Sequence, residues 1–221
     1  MDALWDNRDL VLSGFGQTLL LLVVSGSLAL AIGTVLGSFR VSAVPALRAV
    51  GTAYVTVFRN TPLLVVFLLT YYGLPELGIQ APQFWRATLA LTLYTAAFVC
   101  EAVRSGVNAV PAGQAEAARS IGMGFGQSLR IVVLPQAFRA VIPPLASVLI
   151  ALTKNTSLVA VFGIADATFR MRGLINNHPG DVYAIFGGIA LGYVLIVAVI
   201  SLAAHGLERA GRAGTGRVTA R

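Results

Sequence analysis

From Leu10 to Leu36 the chain is a single apolar run, and four more follow at about 50–74, 84–107, 137–162 and 182–204. A helix needs about 20 consecutive apolar residues to cross the hydrocarbon of a bilayer. Inside lipid every backbone polar group must also be paired within the spanning structure. The expected fold is therefore all-α, with five transmembrane helices in a single domain covering 1–221. At 57% hydrophobic and 11% charged, with mean hydropathy +0.80, the chain is too apolar for a soluble globular domain.

The net charge of +7 could suggest nucleic acid. The basic residues, however, are scattered between the runs and gather at their ends, as membrane orientation requires. With the N-terminus outside, the inner segments hold Arg40, Arg48, Arg104, Arg119, Arg130, Arg139, Arg209, Arg212, Arg217 and Arg221. The outer ones hold only Arg8, Arg86, Arg170 and Arg172, so ten against four gives an N-out, C-in chain in the lipid bilayer with no nucleic-acid partner. The head from Met1 to Asp9 is acidic, unlike a cleaved signal peptide. Cys100 is the only cysteine, which leaves no disulfide framework. Small residues Gly26, Ser27, Ala29 and Gly33 predict a packing face on the first span.

Polar residues inside the spans are the next signal. Arg59-Asn60-Thr61-Pro62 interrupts the second run, and Pro62 should kink or unwind the helix. Unwound backbone at membrane depth is tolerated where it is buried in protein or lines a wet cavity. Lys154-Asn155-Thr156-Ser157 clusters four polar side chains in the fourth run, and Glu101 sits in the third. A charge at the bilayer centre costs about 2.5–3.5 kcal/mol on insertion scales, so these groups are expected along a path for a polar solute. The bland alternatives are snorkelling for Arg59, hydrogen bonding between helices for the polar clusters, and an intrahelical pair for Glu101 with Arg104.

The interval from Glu116 to Pro135, EAARSIGMGFGQSLRIVVLP, is the longest polar-containing stretch. Its apolar residues, among them Ala118, Phe125 and Leu129, recur at helical spacing. Gly122, Gly124 and Gly126 interrupt the middle, and Pro135 should mark a change of direction. Two short helical pieces lying beside the membrane are expected over 112–135.

These residues carry a resemblance. Glu116-Ala117-Ala118, then Gly122, then Leu134-Pro135 after nine further residues and Val132-x, is similar to the EAA loop of ABC-importer permeases. Val132 stands where that family more often has Ile. FRNTPLLVVFLLTYYGLP, CEAVRSGVNAVPAGQAEAARSIG and ALTKNTSLVAVFGIADA narrow the likeness to the HisM-like permeases of polar amino-acid importers, and most to the actinobacterial glutamate permeases. Many members have Asp where this chain has Asn155.

The resemblance implies a MetI-like permease fold whose 112–135 segment is the cytoplasmic coupling helix. Glu116, Ala117, Ala118, Gly122, Leu134 and Pro135 would then meet the ATPase. It also implies an ATPase subunit dimer carrying ATP and Mg, a second permease (identical or sister), and an extracytoplasmic amino-acid binding protein. Arg59, Asn60, Thr61, Pro62, Glu101, Lys154, Asn155, Thr156 and Ser157 would line the substrate path. With Arg59 and Lys154 retained and Asn155 replacing an acid, the path is expected to suit an acidic amino acid.

No P-loop precedes Lys154, the only lysine, and there is no nucleophile elbow. His178 and His205 stand far from Cys100, without metal-ligand spacing. No catalytic residue, metal or chain-bound cofactor is therefore expected. The rival reading is an ion-coupled carrier or channel, which lacks a convincing repeat here; a membrane enzyme is the third.

Overall fold

A computed structural model describes residues 2–213, which contain helices and no strand. The basic tail from 214 to 221 lies outside the described residues. A short α1 (Asp2–Asp6) leads into α2 (Arg8–Val41), 34 residues without a break. At a rise of 1.5 Å per residue it is about 51 Å long, more than the hydrocarbon core alone requires.

The small residues of α2 decide how closely it packs. Gly26, Ala29 and Gly33 are buried together with Ser25, whereas Ser27 is exposed, so the packing face is rotated from the expected one by a fraction of a turn. A Cβ on Gly33 would stand 2.5 Å from the Val99 Cβ, and one on Gly37 would stand 2.8 Å from the Val103 Cβ. Only glycine lets α2 lie this close to α6 (Gln83–Asn108). The α2–α6 contact is the most extensive in the molecule, and α6 is the most buried of the long helices.

The second apolar run is not one straight helix. α3 (Pro45–Asn60) starts with Pro45 in its first turn, where the missing N–H is not needed. Thr61 and Pro62 are extended, and α4 (Leu63–Leu68) then leaves at 101° to α3. A π-helical turn, Leu69–Gly73, and α5 (Leu74–Glu76) complete this arm. By length and composition four helices could each cross a membrane, or five spans form if this bent pair counts as one.

After α6 comes α7 (Ala112–Ser120), which ends in a turn where Gly122 takes φ +87°. α8 (Phe125–Gln127) follows, begun by a hydrogen bond from the Gly124 N–H to Gln127 Oε1 at 3.0 Å. The expected second surface piece does not exist as a separate element. α8 runs through a π-helical turn, Ser128–Val133, into α9 (Leu134–Asn155) and a 3-10 segment, Thr156–Phe162, as one helix of 38 residues. Pro135 therefore makes no turn. It occupies the first turn of α9, and the wider bonding of the π turn before it accommodates the absent N–H.

The chain then reverses at Gly163 (φ +78°) and forms α10 (Ala167–Asn177), a 3-10 turn Pro179–Asp181, and α11 (Val182–Ala213). The core gathers Leu21, Phe67, Leu91, Leu152, Val159 and Phe162, joining α2, α4, α6 and α9. Phe67 and Phe162 stack with ring centres 5.2 Å apart, tying the bent arm to the end of the 38-residue helix. α11 is the outermost helix, with only 11% of its most apolar window buried.

Candidate functional site

Three charged side chains from three helices meet near the end of α2. Arg40 donates from Nη1 to Glu101 Oε1 on α6, and Arg59 Nη1 of α3 stands 4.0 Å from the same oxygen. The Arg59 guanidinium also lies over the Phe98 ring, 5.5 Å from its centre. Arg40, Arg59, Glu101, Asn60, Thr56 and Val55 line a cavity of about 380 Å3. The alternative weighed for Glu101, an intrahelical pair with Arg104, is not the one formed: Glu101 pairs with Arg40. The physical reason is the close glycine contact: Gly33 and Gly37 bring the end of α2 against α6, within reach of Glu101. With two guanidiniums against one carboxylate, the cavity wall carries an excess positive charge.

At the break before Pro62 the last turn of α3 is closed by its own side chains: Asn60 Nδ2 donates to Thr56 O and Thr61 Oγ1 to Val57 O, both at 2.8 Å. Asn60 also reaches the charged cavity.

The Lys154–Ser157 cluster does not join that cavity. Lys154 and Ser157 line a separate space of about 300 Å3 with Thr168 and Tyr193. Asn155 lines a third, of about 370 Å3, with Tyr94, Phe98 and Ser147. Thr156 is fully buried and donates to Thr153 O at 2.7 Å, while Ser157 donates to Lys154 O at 2.7 Å. For these two hydroxyls the local hydrogen-bonding role is the observed one. Phe98 links two of these groups: Arg59 lies over its ring, and it lines the same cavity as Asn155.

Beyond these cavities a polar knot pins α10. Asp166 caps it by accepting from Phe169 N–H at 2.8 Å and also accepts from the Tyr193 hydroxyl at 3.2 Å. Ala167 N–H donates to Thr18 Oγ1 at 3.2 Å, across 149 positions of sequence. Burial pushes the Asp166 carboxyl above its ordinary range, against the pull of the Phe169 N–H.

In the 112–135 segment Glu116 and Ala117 are exposed, whereas Ala118 is buried and anchors α7. Leu134 is half-buried and Pro135 exposed, both well up the long helix. Phe125, assigned by spacing to an apolar helix face, instead stands 74% exposed beside the Gly122 turn, and Ile121 next to it is 79% exposed. The spacing ran across the glycine break, where the turn changes which side faces the protein. Arg40 was also missed as a site residue. Its sequence signal, the first charge after the long run, reads equally well as an orienting one.

An all-helical chain with long apolar helices around a partly exposed ionic cluster defines an integral membrane transport subunit. Residues 29–210 match the family of binding-protein-dependent transport system inner membrane components. The chain belongs to this family and is a multi-pass permease of the inner membrane. It is 40% identical over 215 residues to the glutamate transport system permease protein GluC of Corynebacterium glutamicum, covering 91% of this chain and 94% of that protein. It is 35% identical to the probable glutamine ABC transporter permease protein GlnM of Bacillus subtilis, covering 93% and 95%. Among solved structures, an amino acid ABC transporter with histidines superposes with TM-score 0.85 at 32% identity, covering 93% and 96%. The inward-facing methionine transporter MetNI superposes with TM-score 0.75 at 22% identity, which speaks for the fold.

Proposed function

We propose that this permease carries acidic amino acids, glutamate first and aspartate second. The observation that carries this reading is the Arg40–Glu101–Arg59 cavity. A substrate with one extra carboxylate finds an uncompensated guanidinium there, whereas a basic substrate is repelled. At about 4 Å and an effective dielectric near 20, one such unit-charge pair is worth about 4 kcal/mol, enough to select among amino acids. Arg40 takes the part expected of Lys154 beside Arg59. The 40% identity to a glutamate permease agrees with this substrate. Identity alone does not separate it from glutamine, since a probable glutamine permease stands at 35%.

The chain holds no P-loop, so ATP and Mg belong to a separate ATPase dimer. That dimer docks on the segment from Ala112 to the Gly122 turn. Five spans, with the bent pair as one, put the two ends on opposite sides, and the arginine excess of the inner segments supports the N-terminus outside and the C-terminus inside. A second permease, identical or sister, completes the path, and an extracytoplasmic binding protein delivers the solute. Closure of the ATPases draws the docking segments together and turns the path outward; hydrolysis returns it inward. Competition of labelled glutamate uptake by unlabelled amino acids, in vesicles with the native binding protein, tests the substrate. Strong competition by arginine or histidine but not by glutamate or aspartate would overturn the acidic assignment.

A further inference from the structure

A second polar cavity lies at the opposite end of α6 from Glu101. Arg86 stands 15 residues before Glu101 on that helix, about 22 Å away at the helical rise. The cavity measures about 460 Å3, within the roughly 300–1,000 Å3 range of small-molecule sites, and is lined by Arg86, Glu76, Gln83, Tyr71, Tyr72 and Phe162, among others. The π-helical turn Leu69–Gly73 supplies the two tyrosines, and such turns recur at functional positions.

Arg86 is only partly used by the fold. Its Nη1 donates to Tyr71 O at 2.9 Å, and its guanidinium covers the Tyr71 ring at 5.0 Å. Its Nε–H is buried with no partner among the described residues. A buried unpaired donor on a charged group is costly, so it marks a place where a ligand acceptor would be favoured. Glu76, on the same cavity, is exposed and forms no ion pair among the described residues, with Arg86 or otherwise. One cation and one anion thus face a shared space without neutralising each other.

We infer that this cavity is an outer waiting station for a zwitterionic α-amino acid, with Arg86 and Gln83 meeting its carboxylate and Glu76 its ammonium. The inference rests on the proposed reading of the chain as an amino-acid permease with this end outside. The station repeats, at the mouth of the path, the guanidinium-and-carboxylate pairing of the Arg40–Glu101–Arg59 cavity. It differs in one respect: the inner pair is closed on itself, and the outer groups are apart. A released amino acid would bind here by its backbone ends before its side chain is tested further in.

The whole importer, reconstituted in proteoliposomes with its binding protein outside, provides the test. Uptake of labelled glutamate is measured at saturating binding protein, alongside the binding-protein concentration that half-maximally stimulates ATP hydrolysis. Arg86→Gln could also loosen Tyr71, so Glu76→Gln, at an exposed position, is the deciding variant. Each is expected to lower uptake by about tenfold, the effect of one lost charge-assisted hydrogen bond, with half-stimulation unchanged. Arg86→Lys should retain more uptake than Arg86→Gln. Wild-type uptake by Glu76→Gln would overturn the station. So would a shift of half-stimulation in both variants, which would make the cavity a socket for the binding protein. If the wild-type importer prefers another amino acid, the acidic assignment fails, and the same variants test the station with that substrate.

Discussion

Arg40 and Glu101, 61 positions apart in sequence, form an ion pair that joins the end of α2 to α6. Their side chains are 14% and 27% exposed, so water screens the pair only in part. Removing one partner of a fully buried pair costs about 3–5 kcal/mol, and the partial exposure here lowers the expected loss to about 1–3 kcal/mol. Arg40→Gln and Glu101→Gln should each lower the unfolding temperature of the detergent-solubilised complex. Glu101→Gln should also keep or raise glutamate affinity while slowing release, because both guanidiniums are then free. A double-mutant cycle on thermal stability checks the coupling; additive losses would mean that the two groups act independently.

Gly33 sets the spacing of the same two helices. Gly33→Ala places a methyl 2.5 Å from the Val99 Cβ and 2.7 Å from the Ala96 carbonyl oxygen. Overpacking of this kind typically costs about 1–3 kcal/mol. Gly16→Ala on the same helix meets nothing within 4 Å and is the silent control. Thermal inactivation half-lives of the two variants give the comparison. The Arg40–Glu101 contact should weaken in Gly33→Ala alone, seen as a smaller coupling energy in that background.

The docking segment predicts a loss of coupling without a loss of folding. Phe125 and Ile121 expose large apolar side chains at a turn that should meet the ATPase. Phe125→Ser should therefore reduce ATPase co-purification by about tenfold or more, as truncation of an interface anchor does, with the permease level unchanged. Glu116→Lys should do likewise through charge. Gly122→Asp adds the cost of a side chain at φ +87°, about 1–2 kcal/mol, although nothing stands within 4 Å of the new Cβ. Normal uptake by Phe125→Ser and Glu116→Lys together would take the docking role away from this segment.

The break at Pro62 has separable local and transport roles. Thr61→Ala removes the hydrogen bond to Val57 O and should cost about 0.5–1.5 kcal/mol of stability, with a modest effect on uptake. Asn60→Ala removes a cavity-lining amide and should weaken uptake at unchanged protein level. Single cysteines at positions 59–63 in a Cys100→Ser background should react with aqueous thiol reagents on the cavity side. Uniform protection in both resting and ATP-bound states would mean that the bend is dry.

Asp166 caps α10 and ties it to α11 through the Tyr193 hydroxyl, while the neighbouring Ala167 N–H ties it to Thr18 of α2. Asp166→Ala should cost about 0.5–2 kcal/mol by loss of the N-cap, and Tyr193→Phe about 1 kcal/mol. Hydrogen exchange of the α10 amides measures both. Faster exchange confined to α10, with the long helices unchanged, is the expected pattern.

Composition and run length carried the all-helical membrane fold, because lipid offers no partner for an open backbone. The polar letters inside those runs located the charged residues, since each one is costly in hydrocarbon and has to face something else. Gly122, Gly124 and Gly126 were legible as an interruption, and the structure puts the positive φ that ends α7 at Gly122. Pro135 was misread as a turn because proline removes one donor without dictating direction; the π turn before it kept the helix going. The chain bends by 101° at Pro62 because Thr61 and Pro62 are both extended, and the Phe67–Phe162 stack holds α4 in its new direction.

What tertiary structure alone decided is which charges meet. Sequence spacing offered Arg104, three positions away, as the alternative partner of Glu101, and the polar letters inside the runs grouped Arg59 with Lys154. The fold paired Glu101 with Arg40 and put Lys154 in a different cavity. The letters record that Gly33 and Gly37 lack side chains. They do not record that this absence lets two helices lie close enough, and in the register, to bring an arginine 61 positions away onto one carboxylate. Local sequence determines how each segment pairs its own backbone, whereas charge partners depend on distances between segments, and those are set by packing.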